Sequence, residues 1–149
     1  MTTLPDKPSE LIRVAIADLE KCEQDPRYVI EMSVWHEDAT VVRTDADEQG
    51  KPDAICAVCL AGAVMAKSLG TKPDGRATPS MVVDGEADRG RLLALDSLRV
   101  GDMVGAMLSL GLDEPEDTSV RSVAAYHDDS IRFKSDMRRL ADDLERAGL

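Results

Sequence analysis

The side chains best equipped for chemistry in this 149-residue chain are three thiols and two imidazoles. Cys56 and Cys59 stand at CxxC spacing inside the uncharged stretch ICAVCLAGAVMA, Ile55 to Ala66, and Cys22 and His36 lie upstream. A structural zinc site takes four Cys or His ligands, often as two close pairs. Cys22, His36, Cys56 and Cys59 would supply three thiolates and one imidazole, although neither Cys22 nor His36 has a second ligand at close spacing. A redox pair asks for its first Cys at a helix N-terminus after a strand, usually with Gly or Pro between the two. Here Ala57-Val58 stand between them. Cys59 with His36 is formally a thiol–imidazole dyad, but a thiol in the middle of an apolar helix would be inert.

Packing explains the same residues more directly. On a helix, Cys56, Cys59, Ala63 and Ala66 fall on one side at spacings of 3, 4 and 3, and Gly62 widens that narrow face. Small side chains let a second backbone come close, and a buried free Cys behaves as a small hydrophobe. The thiols are therefore read as spacers. A Cys/His metal-binding module and a thiol-dependent enzyme stand as the alternatives, and no cofactor is expected.

The remaining candidates are acidic or aromatic. Asp45, Asp47, Gln49, Gly50 and Asp53 match the early positions of an EF-hand calcium loop, but Cys56 occupies the place of the bidentate Glu and Pro52 that of the apolar anchor. A solvated acidic loop is expected instead. His36 precedes Glu37-Asp38, and His127 precedes Asp128-Asp129. Either could form a His–carboxylate pair, but neither sits beside an evident nucleophile. No phosphate loop or dinucleotide fingerprint is present. Trp35 reads as a core anchor, with a binding hot spot as the alternative. The surface residues put forward for partner binding are Trp35, Glu37, Asp38, Asp45, Asp47 and Glu48.

Composition narrows the classes. The formal charge is −11, which opposes binding to nucleic acids and anionic membranes. It either serves solubility or lets carboxylates imitate nucleic acid in a basic groove of a partner. Aromatic residues make up only 3% of the chain, so the core must be aliphatic, which suits helices. The start MTTLPDKPSEL lacks the basic and apolar regions of a signal peptide, and the apolar run Ala54 to Ala66 is shorter than the ~20 residues a bilayer needs. Three cysteines, an odd number, fit free thiols in a reducing cytoplasm.

These features need elements to position them. Residues 1–8 read as a tail and 9–149 as one globular domain. A first helix starts at a Ser9 cap, carries Leu11, Ile12, Ala15, Ile16 and Leu19 inward, and ends at Asp25-Pro26. Alternation predicts a strand over 27–35 and a second short strand at Val41-Val42. A helix capped by Asp53 runs to Leu69 with Gly70 as its stop. Met81 to Val83 reads as a further short strand. Helices follow over 86–99 and 102–110, broken near Gly101, then a short one over 119–127. In the last helix Phe133, Met137, Leu140, Leu144 and Ala147 form one apolar seam. Opposite charges sit four apart on its outer side: Arg132 with Asp136, Arg138 with Asp142, Arg139 with Asp143, Asp142 with Arg146. The seam is expected to pack inside the domain, with a dimer contact as the alternative.

The expected fold is therefore α+β: a mostly helical single domain with a small two- or three-stranded antiparallel sheet packed on a buried central helix. The combination EMSVWHED, an acidic gap and CAVCLAGAVMAKSLG, with the C-terminal DLERAGL, resembles small uncharacterised proteins of tailed phages and prophages, mainly over residues 11–70. That resemblance implies expression in a bacterial host cytoplasm and carries over no catalytic residue. The functional expectation is a non-enzymatic accessory protein, monomer or homodimer. It would bind a protein partner with a basic surface, with inhibition of a host nucleic-acid-binding defence complex as one concrete form.

Overall fold

Residues 54–66 carry no charge and little bulk, and the rest of the chain folds around them. The computed structural model describes residues 4–83, 85–113 and 130–149. The elements are α1 (Pro8–Gln24), β1 (Tyr28–Ile30), β2 (His36–Asp38), a 3-10 turn (Ala39–Val42), α2 (Arg43–Glu48) and β3 (Cys56–Val58). Then come α3 (Leu60–Lys67), α4 (Pro79–Val82), α5 (Glu86–Arg99), α6 (Met103–Ser109) and α7 (Ser130–Arg146). The fold is α+β and mostly helical, with a buried central helix, α3, as expected.

The sheet corrects two expectations. It is mixed rather than antiparallel: its order is β1-β3-β2, with β3 parallel to β1 and antiparallel to β2. The expected helix from Asp53 to Leu69 is divided, and Cys56, Ala57 and Val58 form the central strand. Periodicity cannot separate a buried strand from a buried helix in so short an apolar run. Cys56 therefore shares no helix face with Cys59, Ala63 and Ala66. Both faces of the sheet are covered. Tyr28, Ile30, Cys56 and Val58 join the main core. Val29 and Ala57 pack with Ala39, Ala46 and Ala54 in a second, small-residue cluster under the 3-10 turn and α2.

Local side-chain bonds set the other departures. The expected strand over 27–35 stops at Ile30 because the Glu31 carboxylate accepts from Ser33 N at 3.1 Å and Ser33 Oγ at 2.7 Å, which closes a turn. Val41-Val42 form no strand: Asp38 accepts from Thr40 N at 2.9 Å and starts the 3-10 turn. Thr44 to Glu48, expected as loop, belong to α2, and Met81-Val82 belong to α4, which starts at Pro79. Lys7, not Ser9, precedes α1, with Pro8 at its first turn. Leu4, in the expected tail, is buried in the core. The expected helix over 119–127 lies outside the described residues.

The edges of the sheet are closed by side chains and by a loop. The Gln49 amide both accepts from Ile30 N (3.0 Å) and donates to the Ile30 carbonyl (2.8 Å), as a neighbouring strand would. Lys51 Nζ donates to the carbonyls of Tyr28 (2.7 Å) and Cys22 (2.8 Å). At the other edge, Ala77 N donates to the His36 carbonyl at 2.9 Å. This satisfaction removes the open hydrogen-bonding rows that would recruit a further strand.

Around this centre, α3 packs against α1 and α5, α6 against α5, and α7 against α1. Four of the five expected α7 seam residues, Phe133, Met137, Leu140 and Leu144, are buried inside the domain, while Ala147 lies past the end of α7 and is exposed. Only part of the expected charge pattern forms within α7. Arg139 pairs with Asp143 at 3.5 Å, but Arg138 reaches Glu20 on α1, and Asp142 takes Arg13 of α1 at 3.0 Å. Arg146 pairs with Asp143 rather than with Asp142. Among the described residues, no helix is long and apolar enough to cross a membrane.

Among the described glycines, Gly62 has the least room for a side chain. The Trp35 carbonyl accepts from Cys59 N at 3.3 Å and lies over Gly62, where an added Cβ would come within 1.6 Å of that oxygen. The small-residue reading of this stretch is realised there. Gly70, in the left-handed region at φ 73°, has open space around it. Gly62→Ala should therefore cost at least ~3 kcal/mol in urea unfolding, against ~1–2 kcal/mol for Gly70→Ala. Equal costs would contradict the packing described.

Candidate functional site

The thiols and the imidazole lie inside the molecule. His36, Cys22, Cys56 and Cys59 are all fully buried, and the three cysteines are free. His36 Nδ1 is 2.7 Å from the Gly75 carbonyl, so it carries the proton. Cys56 Sγ lies 3.5 Å from Nδ1 and 3.8 Å from Nε2, nearly equidistant, which places the sulfur beside the ring rather than in line with one nitrogen. Tyr28 meets the same ring edge-on, centroids 6.5 Å apart. The structure thus brings together two of the four candidate metal ligands, His36 and Cys56. Among the described residues, no group of three or more His, Cys, Asp or Glu side chains could hold a metal ion.

Cys59 sits where a reactive thiol often does, at the N-cap of α3, with Gly62 N donating to its sulfur at 3.4 Å. A helix N-terminus favours thiolate. Burial opposes it and wins, pushing the Cys59 thiol up to about 11. Burial also pushes Cys22 and Cys56 up to about 12. Burial lowers the His36 pKa, so the imidazole is neutral. These groups are protonated thiols and a neutral ring that positions a loop through Gly75, an arrangement suited to packing rather than to nucleophilic attack.

The surface residues divide differently. Trp35 is half-buried against the main core. Glu37 pairs with Arg76 at 3.2 Å. Asp38 is held low by its bond from Thr40. Asp45, Asp47 and Glu48 lie on α2, whose buried Ala46 faces the small alanine cluster while Asp47 and Glu48 face solvent. The Asp45 carboxyl is raised by a hydrogen bond to Glu31 and by repulsion from Glu31 and Glu48, while Glu31 is lowered.

This crowding contrasts with the helical side of the molecule. There Glu20, Glu23, Asp25, Asp88, Asp96, Asp142, Asp143 and Glu145 all pair with Lys or Arg. Residues 31–53 carry seven acidic and two basic side chains. Both cations are committed to carbonyls: Lys51 to Cys22 and Tyr28, Arg43 to Pro52 (2.9 Å) and Ala54 (3.0 Å). Among the described residues, no ion pair reaches Asp45, Asp47 or Glu48.

Two clefts of about 410 Å³ lie among the described residues. One lies between α1 and α7, where Arg13–Asp142 and Arg138–Glu20 pair across it. The other lies under residues 69–82 and is lined by Lys72 and Arg76. The stretch TKPDGRATPS offered one signal for it: two cations close together in an acidic chain. Nothing in the sequence marked Gln49 or Lys51 as closing the sheet edge.

Two measurements check this core. Thiol-specific alkylation of the native protein should leave Cys22, Cys56 and Cys59 unmodified, and all three should react in urea; rapid native labelling of Cys56 or Cys59 would refute the burial. The folded His36 pKa lies below its ordinary 6.5, so the unfolded chain binds more protons in that range. The stability contribution is complete above about pH 6.5 and falls as the pH drops through the unfolded value. His36→Gln should flatten that part of the urea midpoint–pH profile.

No family model, no curated protein and no solved structure matches the chain.

Proposed function

We propose that this chain is a small acidic, non-enzymatic accessory protein that binds a protein partner with a basic surface, through the face formed by β2, the 3-10 turn and α2. The observation that carries the reading is the uncompensated charge around Asp45. A fold that pairs most carboxylates of its helical side leaves Glu31, Asp45, Asp47 and Glu48 without direct ion pairs among the described residues, and the hydrogen bond from Asp45 to Glu31, with the charges of Glu31 and Glu48, raises the Asp45 pKa. Like charges held together in this way cost stability and are relieved when a cationic surface approaches. Electrostatic complementarity of this type speeds association and selects partners by charge.

In its concrete form, the partner is a basic, nucleic-acid-binding complex of a bacterial host, and the protein is of the phage type that its sequence resembles. The carboxylates of α2 would then occupy part of a groove that otherwise takes phosphates. The thiols play no part in this reading. They hold the interior, and the working surface lies on the far side of the small alanine cluster.

A pull-down from bacterial lysate compares the wild type with the variant Asp45→Asn, Asp47→Asn, Glu48→Gln. The wild type should retain a basic partner that salt releases, and the variant, folded to the same thermal midpoint, should retain little. With that partner purified, affinity should rise with pH through the raised Asp45 pKa, above its ordinary 3.8, as the carboxylate becomes charged. Recovery of no basic partner, or binding indifferent to salt and to the variant, would refute the proposal.

A further inference from the structure

The cleft under residues 69–82 inverts the charge of the protein around it. Lys72 and Arg76 line it, no carboxylate does, and Leu69, Met81 and Val82 supply an apolar wall. Met81, 68% exposed, stands at the rim of that wall, where it is open to a ligand. Thr71 also lines the cleft, and its Oγ1 is buried with no hydrogen-bond partner among the described residues. A buried hydroxyl in that condition calls for a partner.

The loop is preformed rather than loose. The buried His36 imidazole donates to the Gly75 carbonyl at 2.7 Å, Ala77 N donates to the His36 carbonyl at 2.9 Å, and Thr71 N donates to the Met65 carbonyl at 3.0 Å. Three bonds to the core thus fix both ends of the segment that carries the cations. Lys72 has no ion pair among the described residues, and Arg76 holds Glu37 through an exposed, weak bridge that leaves its guanidinium able to take a ligand oxyanion. The volume, about 410 Å³, falls in the ~300–1,000 Å³ range of small-molecule sites.

We propose that this cleft binds a small soluble molecule with a carboxylate or phosphate head on an apolar body. Lys72 and Arg76 hold the head, and Leu69, Met81 and Val82 cover the body. A membrane source of the same head group is disfavoured by the net charge of −11, which repels an anionic bilayer. The site meets the acidic face at the Arg76–Glu37 bridge but lacks the carboxylates of α2 and takes a different ligand, so either proposal can fail without the other.

The test is an NMR titration of the isotope-labelled full chain with octanoate, octyl phosphate, octanol and inorganic phosphate, beside sedimentation with phosphatidylglycerol vesicles. Octanoate or octyl phosphate should shift the amides of Gly70, Thr71, Gly75 and Ala77 and the Met81 methyl saturably. Octanol and inorganic phosphate should bind at least ~10-fold more weakly, since each lacks half of the recognition. Lys72→Gln and Arg76→Gln, both at exposed positions, should each weaken the best probe by roughly 10-fold with the thermal midpoint unchanged. The proposal is overturned by an absence of saturable shifts, by octanol binding as well as octyl phosphate, by undiminished binding in the double variant, or by binding to vesicles alone.

Discussion

The Trp35 carbonyl pressed onto Gly62 is the contact that the rest of the fold depends on. It joins the turn before β2 to the first turn of α3 with no side chain between them, and the same oxygen accepts the Cys59 amide. Only a glycine leaves room at that distance. With α3 held there, its uncharged faces are available to α1 and α5, and β3 enters the sheet directly ahead of it. The three-residue strands could not stand alone. They persist because this contact locks them to a helix buried along Leu60 to Ala66.

Burying the sheet on both faces has consequences for every polar group at its rim. Gln49 and Lys51 close one edge and the 71–78 loop closes the other, so main-chain groups are satisfied without an additional strand. Lys51 is drawn inward, its pKa lowered by burial, and is lost to the surface as a counter-ion. Asp25 goes the other way: Arg27 and Lys67 hold it below the usual carboxylate range while Lys67 lies 4.8 Å from the Tyr28 ring centre. Cations are thus spent on the core and on the helical side. Among the described residues, the three carboxylates of α2 keep no ion pair, and the cations of the 69–82 loop stand out against them.

Much of this was legible in the sequence where the chain repeats a pattern long enough to have one period. The inward rows of α1 and α7, the glycine stop at Gly70 and the break at Gly101, both glycines at positive φ, follow from spacing and local chemistry. The small-residue stretch was legible as a site of close approach, but not as a strand followed by a helix. Its residues are buried on all sides, so no polar face remains to reveal a period. The strand ends were hidden for another reason: Ser33–Glu31 and Thr40–Asp38 are local bonds between residues two apart in the chain, and they override an alternating pattern that favoured extension. As for the candidate sites, thiol and imidazole types announced chemistry that burial withdraws. The Gln49 and Lys51 contacts span long sequence separations that no local pattern encodes.

Native-state hydrogen exchange at the Cys59 amide tests the central contact most directly. That N–H has the Trp35 carbonyl as its acceptor. If the carbonyl seated over Gly62 holds sheet and helix together, the amide should exchange only when the whole domain unfolds, with a protection free energy equal to that from urea unfolding and the same dependence on urea. Exchange through a local opening, faster than global unfolding and insensitive to urea, would mean that the two can part while the rest stays folded, and the contact would then be a consequence of the fold rather than its anchor.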